Sequence, residues 1–144
     1  MAVSAKAYGP ALAAMANGSI NWTTDTIKVA LCTSAYTPDQ DAHDFFNDVT
    51  NEVTGTGYTA GGATLGSKTS AYTGGTNTTA LDAADTTWSA STITARYAII
   101  YKSTGTAATS PLIGWVDFGA DVVSSAGNFT ITWDAGGIFT LTTP

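Results

Sequence analysis

The chain has 144 residues and a net charge of −6, and only 11% of its residues are charged. Its length predicts a single domain, residues 1–144, with a buried core. Five Lys and Arg residues are too few to follow a phosphate backbone, so we expect neither a nucleic-acid nor a membrane partner. No run of residues is long enough to span a membrane, and the N-terminus lacks the basic start and apolar core of a secretory signal.

The low charge content also bears on the surface of the protein. Thr, Ala, Gly and Ser occupy many positions where a free-living domain would carry Lys and Glu. Surfaces this poor in charge are typical of proteins that are covered by other subunits or selected for durability. Sparse charge by itself specifies no partner, and compositional drift explains it equally well.

Residues 1–20 are predicted to form an N-terminal helix and its lead-in. Tyr8, Leu12 and Met15 recur at helical spacing, Pro10 suits the first turn, and the Asn-Gly pair at 17–18 supplies the stop. The alanines between them favour a helix but bury little surface. We therefore expect a slender helix that lies against a sheet or a partner.

The β-sandwich is expected to occupy residues 21–144 and to begin with a strand at 26–34. Ile27, Val29 and Leu31 alternate there with smaller or polar residues, and their side chains are predicted to point inward. The next stretch, residues 37–49, has the pattern of a short capped helix. Thr37 is its predicted N-cap, followed by Pro38 at the first helical position.

The middle of the chain is rich in glycine and predicts mostly loop. Residues 51–62 should form an extended, irregular loop that Tyr58 pins in place, because glycines permit backbone angles closed to other residues. A weaker strand is predicted at 63–72 and a turn at 74–79. Residues 81–89 predict Asp-based turns or one helical turn before Trp88 packs inward.

The strongest strand signal is at residues 92–121, which predict two buried strands joined by the loop KSTGTAATSP. Ile99 and Ile100 are neighbours, so the first strand is apolar on both faces. A half-solvated hairpin would not tolerate this pattern. We expect one face to be covered by the partner layer and the other by a helix or a neighbouring subunit.

The C-terminal part predicts a second turn followed by two strands. The turn is VVSSAGN at residues 122–128, NFTITWD alternates cleanly after it, and IFTLTTP closes the domain. About seven strands at this spacing predict a mainly-β fold. The expected architecture is a single-domain antiparallel β-sandwich or barrel-like fold with an N-terminal helix and one short helix.

Four aspartates surround His43 and supply the weak candidates for a metal site. Asp39, Asp41 and Asp44 could offer oxygen ligands to Ca²⁺. The spacing misses the EF-hand loop, because Gly is absent from the sixth position and Glu from the twelfth. Helix capping accounts for the same carboxylates, so we expect no metal and no cofactor.

Residues 55–62, GTGYTAGG, match a dinucleotide-binding fingerprint only superficially. No clear strand precedes this segment, and no helix follows whose dipole could hold a pyrophosphate. A flexible glycine loop is the default interpretation.

The remaining reactive side chains form no recognisable catalytic motif. A single Cys excludes an internal disulfide. A hydrolase would have to use Cys32 with His43, the only histidine, and an aspartate. Glu52 has no inferred cleft, and Arg96 is expected to pair with an aspartate. We predict a small strand residue at Cys32 and no catalytic residue.

Aromatic residues leave two interpretations open. Four tryptophans and several tyrosines could line a sugar-stacking surface if they were exposed. Their strand-like alternation favours the core or a subunit interface. The residues concerned are Trp22, Trp88, Trp115, Trp133, Tyr36, Tyr58, Tyr72, Tyr97 and Tyr101.

The chain resembles a family of small virion proteins of tailed bacteriophages. The resemblance covers nearly the whole chain and depends on four segments that occur in the same order: IKVALCTSAYTPDQDAHDFFNDVTNEVTGTGYTAGG, STITARYAIIY, PLIGWVDFG and FTITWDAGGIFTLT. The resemblance implies a non-enzymatic structural component and assigns no functional residue.

Among virion roles, a capsid decoration or cement protein is the favoured expectation. Such a protein is made in the host cytoplasm, binds the capsid surface and bridges neighbouring subunits of the major capsid protein. A homo-oligomer is expected, with a trimer favoured at a lattice axis. The alternative is a tail or fibre-associated component that binds a receptor or glycan, although no stalk or repeat is visible.

Overall fold

The structure is a computed structural model and describes residues 2–144. It contains one α-helix, nine strands and two short 3-10 helices at Phe46–Asp48 and Ala107–Thr109. The elements in chain order are β1 (Ala2–Val3), β2 (Lys6–Ala7), α1 (Gly9–Ala16), β3 (Ile27–Cys32), β4 (Ala63–Thr64), β5 (Thr69–Thr73), β6 (Thr78–Asp82), β7 (Thr86–Lys102), β8 (Leu112–Trp133) and β9 (Phe139–Thr142). The prediction of a mainly-β, sandwich-like fold is confirmed. None of the helices in the described residues has the length and apolarity needed to cross a membrane.

Two sheets form the fold. The six-stranded sheet has the order β1-β8-β7-β3-β4, and β2 also pairs with β8; the three-stranded sheet has the order β5-β6-β9. All pairings are antiparallel except that of β1 with β8. The core between the sheets contains Trp22, Trp88 and Trp133 together with the inward residues of β3.

Strand β8 doubles back on itself. Its start pairs with β2 through Trp115 and Lys6, and its end pairs with β1 through Trp133 and Val3. A straight strand would separate Trp115 from Trp133 by about 60 Å, whereas Val3 and Lys6 are within about 11 Å of each other along the chain. The long β7–β8 hairpin is therefore bent, which allows its two halves to contribute to different parts of the core.

Irregularities in the β7–β8 pairing account for the bend. The register shifts between Trp88 and Ser91 and again between Ala95 and Tyr97, and Ala90 and Ala126 both have φ of 48°. Such bulges increase local twist and bend a strand. The turn predicted at 122–128 is wrong, because this segment is a bulged part of β8.

The predicted N-terminal helix is confirmed, with Pro10 in its first turn and Asn17 as its C-cap. Tyr8 and Ala11 are buried, whereas Leu12 is 51% exposed, so the predicted apolar stripe faces the core only in part. The strand predicted at 26–34 is confirmed as β3. Both of its faces are buried, because Ala30 and Cys32 contact a second apolar cluster.

The capped helix predicted from Thr37 is wrong. Asp39 accepts hydrogen bonds from the backbone N–H groups of Asp41 (3.1 Å) and Ala42 (3.0 Å), which closes a local turn. The chain is then extended at Phe45, which forms a β-bridge with Pro111. Only the single 3-10 turn at Phe46–Asp48 remains helical, because long-range pairing overrides local propensity.

The turns predicted at 81–89 are wrong as well. Leu81 lies in β6 and Trp88 in β7, with only residues 83–85 between the two strands. Trp88 does pack inward as expected. The weak strand predicted at 63–72 is divided into β4 and β5.

Candidate functional site

Three of the reactive side chains considered in the sequence analysis, Cys32, His43 and Glu52, lie near the C-terminal end of β3. Two hydrogen-bonded networks contact the strand there. One network contains His43 and the other contains Glu52. Cys32 ends β3 between them and is fully buried. The geometry of each network shows what these groups can do.

The first network is a chain of hydroxyl groups that ends at His43. The hydroxyls of Tyr8 and Tyr36 are 2.9 Å apart, and that of Tyr36 is 2.9 Å from His43 Nδ1. The backbone N–H of Asp39 also donates to Nδ1, at 3.3 Å. Nδ1 is therefore an acceptor, so Tyr36 donates to His43 and accepts from Tyr8. His43 holds Tyr36 in place, and this imidazole nitrogen is not available as a general base.

Burial makes both tyrosine hydroxyls poor acids. It raises the pKa of Tyr36 to about 12 and raises the pKa of Tyr8 further, where the hydrogen bond to Tyr36 adds to the effect. Tyr8 also packs against Trp115, with ring centroids 4.7 Å apart. The two tyrosine hydroxyls thus lie in the apolar cluster that covers the face of β3 carrying Ala30 and Cys32.

The second network fastens the glycine-rich loop to β3. Glu52 Oε1 accepts hydrogen bonds from the hydroxyl of Tyr58 and from the backbone N–H of Gly61, both at 2.6 Å. Tyr58 in turn accepts from the backbone N–H of Leu31 at 3.0 Å. The prediction that Tyr58 pins this loop is confirmed, and the role of Glu52 in holding Tyr58 was not foreseen.

The glycines of this loop allow close backbone contacts. A Cβ atom at Gly55 would collide with the carbonyl of Thr92, and one at Gly62 would collide with the backbone of Val29. Gly57, Gly61 and Gly62 have φ of 79°, 87° and 75°. The fingerprint-like GTGYTAGG is therefore a segment packed against β3 and β7, and its glycines serve that packing.

Cys32 is the only thiol, and its surroundings suppress its reactivity. Burial is the main cause that raises its pKa to about 12, and the charge of Glu52 adds to the shift. His43 pairs with Tyr36 and does not pair with Cys32. The structure therefore does not bring together the Cys–His pair that a hydrolase would need.

We expect Cys32 to be unreactive towards iodoacetamide in the folded protein at pH 8. A thiol with this pKa has a thiolate fraction of about 10⁻⁴ at that pH, and the side chain is also inaccessible. Mass spectrometry should find no alkylation in buffer and complete alkylation in denaturant. Rapid alkylation of the native protein would contradict this environment for Cys32.

The three weak metal candidates do not form a site in the structure. Asp39 accepts two backbone hydrogen bonds, chiefly from Ala42, which lower the pKa of its carboxyl group. Asp41 and Asp44 are exposed in the same segment. Within residues 2–144, no three His, Cys, Asp or Glu side chains are arranged to hold a metal ion.

Two basic side chains, Arg96 and Lys102, form ion pairs within the protein. Arg96 pairs with Asp117, as predicted, and this hydrogen-bonded pair raises the pKa of the guanidinium and lowers that of the carboxyl group. Lys102 Nζ lies beside a cleft of about 320 Å³ near α1. It contacts Asp25 at 3.0 Å and donates to the carbonyl of Ser19 at 2.7 Å.

Most aromatic side chains lie in the core, as expected. Trp22, Trp88 and Trp133 are buried, and Trp115 is half-buried beside Tyr8. Among the tyrosines of residues 2–144, Tyr72 has a largely exposed ring, at 59%. A sugar-stacking platform would have to depend on this residue.

Comparison of the chain with protein-family models, curated proteins and solved structures gives no match. Any assignment of function therefore depends on the residues themselves and on the resemblance of the four sequence segments to small virion proteins described above.

Proposed function

We propose that the protein is a non-enzymatic structural component of a tailed-bacteriophage virion. Its proposed role is that of a decoration or cement protein, which binds the capsid surface and bridges subunits of the major capsid protein. The sequence likeness described above supports this class of protein. The geometry of the reactive side chains favours a structural role within that class.

One observation carries the proposal: the thiol, the imidazole and the glutamate from which a catalytic site could be built are engaged in holding the fold. Cys32 is buried, His43 orients Tyr36, and Glu52 binds Tyr58 and the backbone of Gly61. General acid–base or nucleophilic catalysis needs such groups within reach of a substrate. Here the hydrogen bonds of His43 and Glu52 point into the protein, and Cys32 is buried away from any substrate.

The distribution of buried surface also supports a structural role. Strand β3 and the C-terminal part of β7 around Ile99 and Ile100 are covered on both faces by the chain itself, so the centre of the sheet is shielded from water. The exposed surface carries few charges, which suits a protein packed closely beside others on a lattice. These features suit a compact subunit that binds beside others on a capsid surface.

The direct test is sedimentation with preformed capsid shells, assembled from the major capsid protein of the same phage genome. We expect the protein to co-sediment with shells and to saturate at a fixed ratio to capsid subunits. Binding to host cells or glycans without binding to shells would replace the decoration role with the tail or fibre role. Electron microscopy of virions would then locate the protein.

Two variants serve as controls in the same assay. Cys32→Ala and His43→Ala remove the groups that a catalytic role would require, and shell binding should be unchanged. Circular dichroism would establish that each variant is folded. Loss of shell binding by a folded variant would indicate a functional site at that position.

A further inference from the structure

Three segments of the chain that lie next to one another in the fold carry no charged side chain. All sixteen charged side chains, five basic and eleven acidic, lie outside residues 7–24, 69–81 and 135–144. These three segments contain α1, most of the β5–β6 hairpin and β9. We call the surface formed by α1, β5, residues 78–81 of β6 and β9 the charge-free face. The nearest charges on the hairpin, Lys68 and Asp82, are at its end opposite to Tyr72.

The small sheet extends beyond the core on this face. Leu81 and Phe139 are paired in register and buried, so their row packs on the core. The next row on the same side of the sheet contains Tyr72, Thr79 and Leu141, which follow at a spacing of two residues. Tyr72 is 59% exposed and Leu141 is 38% exposed. This second row overhangs the core.

Helix α1 supplies the other side of a shallow apolar groove. Leu12 is 51% exposed and lines a cavity of about 100 Å³ together with Met15, Leu81 and Leu141. Residues 2–144 leave five large apolar side chains exposed, and three of them, Leu12, Tyr72 and Leu141, belong to the charge-free face. Exposed apolar groups gathered in one place are typical of an interaction site.

Both edges of the small sheet are also unpaired in the described chain. The sheet has the order β5-β6-β9, so β5 and β9 each present a free edge. All five residues of β5 are exposed. Natural edge strands are usually protected by charged residues, Pro or a covering element, and neither β5 (TSAYT) nor β9 (FTLT) contains a charged residue or Pro.

We propose that the charge-free face binds a second copy of this chain, so that the overhanging row and a free sheet edge are buried in a homo-oligomer. Two copies that each carry a net charge of −6 repel each other overall. At this face they can approach without opposing like-charged side chains. The face also offers apolar groups to bury and backbone groups to pair.

This proposal deepens the homo-oligomer part of the proposed function and names its surface. Its test measures molecular mass without any capsid, so it can fail while shell binding succeeds, and the reverse. Sedimentation velocity of the full chain over a concentration range is the assay. The wild-type protein should reach a defined multiple of the 14.7 kDa chain mass.

Substitutions that place a charge on the face should dissociate the oligomer. Leu12→Asp and Leu141→Asp are expected to raise the dissociation constant by about 30-fold or more, as expected for loss of a central apolar contact. Both side chains are already partly in water, so the monomer should still fold, which circular dichroism can verify. The matched control is Val123→Asp, which adds the same charge at a 65% exposed position on β8.

Three results would overturn the proposal. The first is a wild-type protein that remains at 14.7 kDa up to about 1 mM, where even weak specific pairs form. The second is an oligomer that the Leu12 and Leu141 variants leave intact. The third is equal dissociation by Val123→Asp, which would place the interface elsewhere or make it a non-specific effect of charge.

Discussion

Replacing either Ile99 or Ile100 by Ala is expected to lower the free energy of unfolding by about 3 kcal/mol. Both side chains are fully buried, and each substitution leaves a cavity in addition to the lost transfer energy. They point to opposite faces of β7. Ile100 belongs to the core between the two sheets, whereas Ile99 belongs to the cluster that contains Tyr8 and Tyr36.

The double variant provides the sharper test. The two side chains lie in different clusters on opposite faces of β7, so independent faces would give a combined loss of about 6 kcal/mol, provided that the protein still folds, and a departure from that sum would measure coupling through the shared backbone. Urea unfolding monitored by tryptophan fluorescence would measure each value. Val123→Ala, at an exposed position, should change stability by less than about 0.5 kcal/mol. A small effect of Ile99→Ala alone would mean that the second face of β7 is not covered by the chain in solution.

The sequence predicted this double burial but not what covers the second face. Two adjacent isoleucines in a strand require apolar surroundings on both sides, and that inference is confirmed. The cover was expected to be a helix or a neighbouring subunit. It is formed by Tyr8, Tyr36 and the segment around Phe46, which stacks on Tyr101 with ring centroids 4.0 Å apart. These contacts join distant parts of the chain, and no local pattern encodes them.

The errors in element boundaries have a common physical cause. The Ser, Gly and Asn residues of segment 122–128 signal a turn, yet the segment is a bulged part of β8 because β7 pairs along its length. The same competition removed the helix predicted from Thr37, where pairing of Phe45 with Pro111 prevailed over the local capping pattern. The local sequence identified places where the regular structure is interrupted. Pairing between distant segments determined which structure forms at each of them.

In the candidate site too, the sequence indicated the type of partner for some residues but did not reveal contacts between distant parts of the chain. Arg96 was expected to pair with an aspartate, and the partner is Asp117, across the β7–β8 ladder. The hydrogen bonds from Tyr8 to Tyr36 and on to His43 were missed, because 28 residues separate the two tyrosines and hydroxyl pairs follow no sequence spacing. A Thr-rich and Tyr-rich chain offers many such partners. Only the fold selects among them.

Gly62→Ala is expected to be among the most destabilising single changes, at about 4 kcal/mol. The backbone of Gly62 has φ of 75°, which costs an L-residue about 1–2 kcal/mol. A Cβ atom there would also collide with the backbone of Val29 and Ala30 in β3, and a strand buried on both faces cannot move aside. Overpacking of this kind adds about 1–3 kcal/mol.

Gly18→Ala separates the two contributions. Gly18 has φ of 81°, similar to that of Gly62, but no atom lies within 4 Å of the position that a Cβ atom would take there. Its substitution should therefore show the conformational cost alone, about 1–2 kcal/mol. Urea unfolding of both variants would give the difference, which measures how tightly the loop at residues 55–62 is pressed against β3. Equal losses for the two variants would mean that the loop can withdraw, and that Glu52 and Tyr58 do not hold it in place.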